Sequence, residues 1–297
     1  MLLPGTGSKR RVTYLDGIIL VALGIAAVVI ANRIKTRLDY RWDWSAIPQY
    51  LFRRNDAGRI VPNFLTQGLL TTLRLSIWSS VLALVIGTFS AILRLQKGVF
   101  FRFLGRVYVE VIRNIPPLVL VLIFYFFIGN QIMESLGIER MVDRAGPGGL
   151  IVLRFLFADP ARLPEFLSAV LTLGIYEGAY MTEIIRAGIQ SVNRGQWEAG
   201  YSLGLSSTDQ YRFVVLPQAL KNILPSLAGQ FISAIKDSAI VAVISIQELT
   251  FQGIEIMSTT YRTFEIWITI TVLYLVMTGA CSAVAGQIEA RLAKTRR

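Results

Sequence analysis

Arg74, Glu177, Lys236 and Asp237 stand inside long apolar runs. A charge at membrane depth is expensive, so such groups face a bundle interior or a water-filled path more often than lipid. Asn222, Ser226, Gln230, Ser233 and Asp237 recur at intervals of four, four, three and four residues, with Lys236 three beyond Ser233. At about 100° per residue these share one arc of a helix. The stripe suits the wall of a path for a polar solute, or interhelical hydrogen bonds in a bundle or at a subunit seam. A second stripe runs Thr172, Tyr176, Tyr180, Glu183, Arg186 and Gln190. Its Glu183 and Arg186 have the spacing of a helical ion pair. Glu177 projects off that stripe near the middle of its run, where a carboxylate costs most. Arg74 either snorkels to the surface or grips a carboxylate through paired N–H groups. Arg113 and Glu110 suit mutual pairing or snorkelling. If Glu177 or Asp237 served as an acid or base, the chain would be a membrane enzyme; an ion channel or scaffold is a third reading.

The elements that must position these groups are apolar helices near 15–31, 68–93, 107–129, 166–188, 222–246 and 264–288. The chain has 297 residues, 54% hydrophobic, with a mean hydropathy of +0.54. Roughly 20 apolar residues cross a bilayer, so the sequence predicts an all-α integral membrane protein with about six transmembrane helices. The first run follows Lys9-Arg10-Arg11 and is read as an uncleaved span. The run 149–157 is too short to cross and is placed as a short helix on the outer side. Pro116-Pro117 should kink the third span, and Gly174 and Gly178 let another helix approach the fourth closely.

Six spans put both termini on one side. Arg94, Lys97, Arg102, Arg106, Arg186, Arg194, Arg212, Lys221, Arg291 and Lys294 gather there, and cations favour the cytoplasm. Acids such as Glu134, Asp159, Glu248 and Glu255 fall outside. One segment runs against the rule: 32–62 would be external, yet it holds seven Lys and Arg against three acids.

Several functions are excluded. The chain has no His, and its only cysteine is Cys281, which removes the commonest general base and any intramolecular disulfide. It has no phosphate-binding G-x-x-x-x-G-K-[ST] pattern and no G-x-S-x-G or H-E-x-x-H. No basic stretch is interleaved with exposed aromatics, so nucleic acid is not an expected partner.

Between the fourth and fifth runs lies a polar loop, 189–221. Residues 194–203 read as a helix with Trp197 and Tyr201 on one face, stopped by Gly204 in a left-handed turn. Ser207 fits an N-cap with Gln210 three residues on. Pro217 is expected to end this second helix and begin the next.

Within it, Glu198-Ala199-Gly200, then Gly204, then Val214-x-Leu216-Pro217 resembles the signature loop of ABC importer membrane subunits: Glu-Ala-Ala, three residues, Gly, nine residues, Ile-x-Leu-Pro. Thr71-Thr72-Leu73-Arg74, Arg113-Asn114-Ile115-Pro116, Ala179-Tyr180-Met181-Thr182-Glu183 and Lys236-Asp237-Ser238 are similar to the polar amino acid branch of type I ABC importer permeases. The similarity covers about 64–290. It leaves 1–63 as a first span with an external segment, and 291–297 as a basic cytoplasmic tail. The family has Arg-Gly-Thr-Pro where this chain has Arg113-Asn114-Ile115-Pro116.

That resemblance implies a multi-pass protein of the bacterial inner membrane, paired with a second permease, two ATPase subunits and an external solute-binding protein. It implies no cofactor on this chain, with ATP and Mg on the ATPase partner. Glu198, Ala199, Gly200, Gly204, Leu216 and Pro217 would dock the ATPase. Arg74, Glu177, Gln230, Ser233, Lys236 and Asp237 would line the solute pathway. A zwitterionic amino acid needs a cation for its carboxylate, from Arg74 or Lys236, and an acceptor for its ammonium, from Glu177 or Asp237.

Overall fold

The computed structural model of the protein describes residues 14–37, 40 and 42–294. Lys9-Arg10-Arg11 and residues 295–297 of the predicted basic tail lie outside them. By contact the chain divides into one unit up to Trp44 and a second from Ser45 onward. The first holds α1 (Tyr14–Arg37), 24 residues rich in Ile, Val and Ala. At 1.5 Å per residue α1 is about 36 Å long, enough to cross a hydrocarbon core. It therefore runs past the predicted 15–31 into its polar flank.

The second unit opens on α2 (Ile47–Leu51) and an antiparallel hairpin of β1 (Phe52–Arg54) and β2 (Ile60–Pro62). Ile47 buries against Leu65, Leu249, Ile256, Ile266 and Ile270. The segment from Ser45 thus packs with the helical core, although the sequence groups it with the first span. Next come α3 (Phe64–Leu95) and α4 (Val99–Asn114). Ile115 then turns extended, at φ −89° and ψ 136°, as a residue before proline is biased to do. Pro117 restarts the chain as α5 (Pro117–Ile123), which runs through a π-turn (Phe124–Gly129) into α6 (Asn130–Leu136). The predicted single helix 107–129 is therefore two pieces, and the spanning one is Pro117–Leu136. Short helices α7 (Ile138–Asp143) and α8 (Pro147–Leu156) follow, and α8 matches the expected short helix. They lead to α9 (Leu163–Gln190).

Beyond α9 stand α10 (Arg194–Ser202), α11 (Ser207–Asp209), a π-turn (Gln210–Val215), α12 (Leu216–Asp237) and a 3-10 turn (Ser238–Ile244). The chain closes with α13 (Leu249–Thr260) and α14 (Thr263–Lys294). Pro217 does not end a helix here, contrary to expectation. The Leu216 N–H reaches back five residues to the Tyr211 carbonyl. That wider turn relieves the clash a proline ring makes with the carbonyl four residues before it. Ser207–Ile244 is consequently one helical run of 38 residues.

Side-chain contacts fix the direction of each crossing. Leu75 packs with Phe166 and Leu173, Gly174 lies against Leu82, Gly87 against Met181, and Arg94 meets Glu183. So α3 and α9 run parallel. The Pro117–Leu136 span opposes them, since Leu120 packs with Ala179, Gly129 with Ser168 and Met133 with Leu163. α12 opposes α9 as well, with Asn222 bonded to Ser191 and Gln230 to Glu177. α14 leaves from the Leu65 end. The second unit therefore crosses five times, with the 194–215 hairpin at one end and the β-hairpin at the other.

Four of these segments are long and apolar enough to span: Phe64–Leu95, Pro117–Leu136, Ser207–Ile244 and Thr263–Ala290. α9 matches them in length but carries Glu165, Glu177, Glu183 and Arg186. Most of its side chains are buried by neighbouring helices rather than lipid, which is how it tolerates them. Its small residues make that packing possible. A Cβ on Gly178 would sit 2.7 Å from the Tyr108 hydroxyl, and on the facing α3 one on Gly87 would sit 2.8 Å from Met181 Cβ of α9.

Candidate functional site

Glu177 lies on the face of α9 turned to α12 and is 1% exposed. Gln230 donates its amide to Glu177 Oε2 at 2.6 Å, while Glu177 Oε1 is buried with no hydrogen-bond partner. Asp237 is close enough to interact with Glu177 electrostatically, and Lys236 acts in the same way on Asp237. Tyr176 and Tyr180 stand beside this group on α9, edge to face at 5.2 Å. Arg113 lies over the Tyr180 ring at 5.3 Å, and Glu110 accepts from Asn114. Of the two expectations for Arg113 and Glu110, mutual pairing or snorkelling, the pairing is replaced by two separate contacts.

The structure gathers Glu177, Gln230 and Asp237 into one cluster. It does not bring all the predicted pathway residues together. Ser233 is half-buried on α12, and Lys236 is exposed. Arg74 is half-buried on α3 and makes no hydrogen bond or ion pair with any described residue.

Toward the hairpin end, Glu183 binds Arg186, with bonds of 3.0 and 2.7 Å, and also Arg94 of α3. The sequence identified the Glu183–Arg186 pair and missed Arg94, whose partner is 89 residues away. Beside this cluster an open hollow of about 500 Å³ is lined by Glu183, Ile184, Ala187, Gly188, Ser191, Asn222 and Ser226. Asn222 and Ser226 of the α12 polar stripe thus share this hollow with Glu183.

A second buried acid was missed altogether. Glu248, counted as an acid of an outer loop, is fully buried. Its Oε1 caps α13 by accepting from Phe251 N at 2.7 Å. Its Oε2 accepts from the Tyr274 hydroxyl at 2.8 Å and the Thr72 hydroxyl at 3.3 Å. One carboxylate thus ties α3, α13 and α14 together. Proximity between residues 176 positions apart leaves no local signal in sequence.

The polar loop folds as two short helices. Gly204, at φ +73°, ends α10, a backbone conformation only glycine adopts cheaply. Its N–H returns to Tyr201 O at 3.0 Å, and Leu205 N to Gly200 O at 3.1 Å. The cap of α11 is Ser206 rather than the expected Ser207: Ser206 Oγ accepts from Asp209 N at 3.2 Å and donates to Asp209 Oδ2 at 2.6 Å. Gln210, freed from capping, is fully buried and donates its amide to Trp197 O. Gly200 leaves it room, since a Cβ there would meet Gln210 Nε2 at 2.9 Å. Trp197 turns inward onto Tyr211 at 5.1 Å, so it does not share an exposed face with Tyr201.

Glu198, Ala199, Gly204, Leu216 and Pro217 are exposed, whereas Gly200 is buried inside the hairpin. Arg194 donates to Glu198 at 3.0 Å. Leu203 at the tip is 79% exposed, Phe213 64% and Tyr201 60%. Leu203 and Phe213 were not singled out in sequence, where nothing distinguishes them from core residues, and Tyr201 reads there only as sharing a helix face with Trp197. An apolar knob with a fixed anion beside it suits insertion into a cleft of another protein.

Over residues 83–294 the chain matches the family described as binding-protein-dependent transport system inner membrane component. It is 34% identical over 252 residues to the glutamine transport system permease protein GlnP of Escherichia coli (strain K12), covering 85% of this chain and 98% of the relative. It is 28% identical to the glutamate/aspartate import permease protein GltJ of the same strain, covering 84% of this chain and 95% of the relative. A solved amino acid ABC transporter, crystallised with histidines, superposes with a TM-score of 0.65 at 33% identity, covering 85% of this chain and 100% of that one. An inward-facing MetNI methionine ABC transporter shares the fold, with a TM-score of 0.56 at 16% identity over 77% of this chain and 96% of its own.

Proposed function

The chain belongs to the binding-protein-dependent transport system inner membrane components, and on that premise we propose how it works. It is a permease subunit of an amino acid importer in a bacterial inner membrane and is not itself an enzyme. The kinship does not favour the enzyme or channel reading. ATP is hydrolysed on a partner ATPase. The subunit pairs with a second permease and receives solute from an external binding protein. The 194–215 hairpin and both termini face the cytoplasm, in keeping with the cations near that end.

One observation carries the mechanism. The second arm of the hairpin, bound through Gln210 to the α10 arm that presents Glu198, continues into α12, which holds Gln230 and Asp237 against Glu177. The docking hairpin and the polar path are thus joined through one helical run, Ser207–Ile244. Closure of the ATPases would move α12 against α9 and reshape the Glu177 cluster. In this reading Glu177 Oε1, which has no hydrogen-bond partner, would accept from a solute ammonium, with Asp237 as second acceptor and Arg74 or Lys236 for the carboxylate.

The test has two arms. ATPase co-purification should be lost in Glu198→Arg. Uptake should fall when Arg74, Glu177, Lys236 or Asp237 is made neutral; normal assembly and uptake in all four variants would overturn the solute assignment.

A further inference from the structure

The β-hairpin at the opposite end from the coupling hairpin is built to present positive charge. Asn55 locks its turn: its N–H donates to Arg59 O at 2.9 Å, its carbonyl accepts from Gly58 N at 2.8 Å, and its side chain accepts from Arg59 N at 2.8 Å. The strands are pinned to the core. Asn63 Nδ2 donates to Gln49 O at 2.6 Å, Asn63 N to Leu51 O at 2.9 Å, and Thr66 Oγ1 to Leu51 O at 2.7 Å. Ile47 sits in the apolar cluster beneath. Yet every residue from Phe52 to Ile60 is exposed. Arg53, Arg54 and Arg59 form no ion pair with any described residue, and Phe52 and Ile60 lie bare beside them, 52% and 70% exposed. Arg54 stands opposite Ile60 and shares its face with Phe52, while Arg53 stands opposite Val61 on the other face, so each face of the ribbon sets a cation beside apolar surface.

In the orientation proposed above this patch is external, where Lys and Arg are disfavoured as topology signals. Three unpaired arginines held on a rigid hairpin call for an anionic partner, and the exposed Phe and Ile give that contact an apolar centre. We infer that Arg53, Arg54 and Arg59 dock an acidic face of the external binding protein. The inference rests on the importer reading and extends it by assigning the surface that receives the loaded protein.

The test reconstitutes the permease–ATPase complex in phosphatidylcholine vesicles, with and without phosphatidylglycerol. Each is titrated with the cognate binding protein saturated with a mixture of the common amino acids. In R53E/R54E/R59E the binding-protein concentration for half-maximal ATPase stimulation should rise about tenfold or more, the scale of three exposed ion pairs lost together. The maximal and basal rates should be unchanged, R53K/R54K/R59K should stay near wild type, and added salt should shift wild type more than the reversed variant. An unmoved midpoint overturns the inference. So does a shift confined to phosphatidylglycerol vesicles, which assigns the arginines to lipid headgroups. A wild-type complex that the binding protein does not stimulate overturns both this inference and the importer reading, whereas stimulation with an unmoved midpoint overturns the docking alone.

Discussion

Gln230 hands its side-chain amide to Glu177 across 2.6 Å, joining α12 to α9 at a carboxylate with one oxygen still unpartnered. Glu177→Gln keeps an acceptor for Gln230 and replaces the other carboxyl oxygen with an amide donor. Uptake should fall about 10- to 100-fold, the worth of one charge-assisted hydrogen bond to the solute. The melting temperature of the purified protein should hold, because the acceptor for Gln230 is retained. Equal losses in uptake and folded yield would assign Glu177 to structure alone.

Gln210→Ala removes the bond to Trp197 O and opens space beside Gly200. The hairpin should lose about 1 kcal/mol of local stability. Amide exchange should quicken across 194–215 and stay constant in α3 and α9. Solute-stimulated ATPase activity of the complex should drop while its basal rate remains.

Gly204→Val forces a β-branched residue to φ +73° at a cost of about 1–2 kcal/mol. Gly204→Asn is milder, since Asn tolerates that region. Capture of the ATPase subunit should follow the order Gly, Asn, Val. Equal capture by all three would separate this turn from docking.

Gly87→Val should loosen the bundle. Its Cβ would stand 2.8 Å from Met181 Cβ and 3.1 Å from Gly178 O, and neither is the movable end of a flexible side chain. Overpacking of this kind costs about 1–3 kcal/mol, visible as a lower melting temperature in detergent.

Tyr274→Phe withdraws the 2.8 Å donor from Glu248 and leaves Oε2 with the longer Thr72 bond. A loss of about 1–3 kcal/mol is expected. Thr72→Val should cost less on the carboxylate side but also strip a partner from Leu249 N. Thermal unfolding of the two single variants and the double variant gives their coupling.

The sequence carried the parts of this protein that depend on local pattern. Apolar runs marked the spans, and the joint spacing from Glu198 to Pro217 marked the loop. Gly204 was legible because a left-handed helix stop needs glycine. The Gly174–Gly178 spacing foretold close packing, which Leu82 and Tyr108 then supply. Contacts made over long separations were not legible. Arg94 with Glu183, and Thr72 and Tyr274 with Glu248, join residues that only the folded bundle makes neighbours. The Pro217 boundary misled for a different reason: a proline reads as a helix end, but a π-turn just before it lets the helix continue.

That continuity has a mechanical consequence. The run Ser207–Ile244 contains 38 residues, and Gln230 lies about 35 Å along it from Ser207. A tilt of about 5° about the hairpin end displaces Gln230 by about 3 Å. A hydrogen bond of 2.6 Å does not survive such a step. A tilt of that size would open the Gln230–Glu177 bond, so this contact would report any movement of α12 against α9.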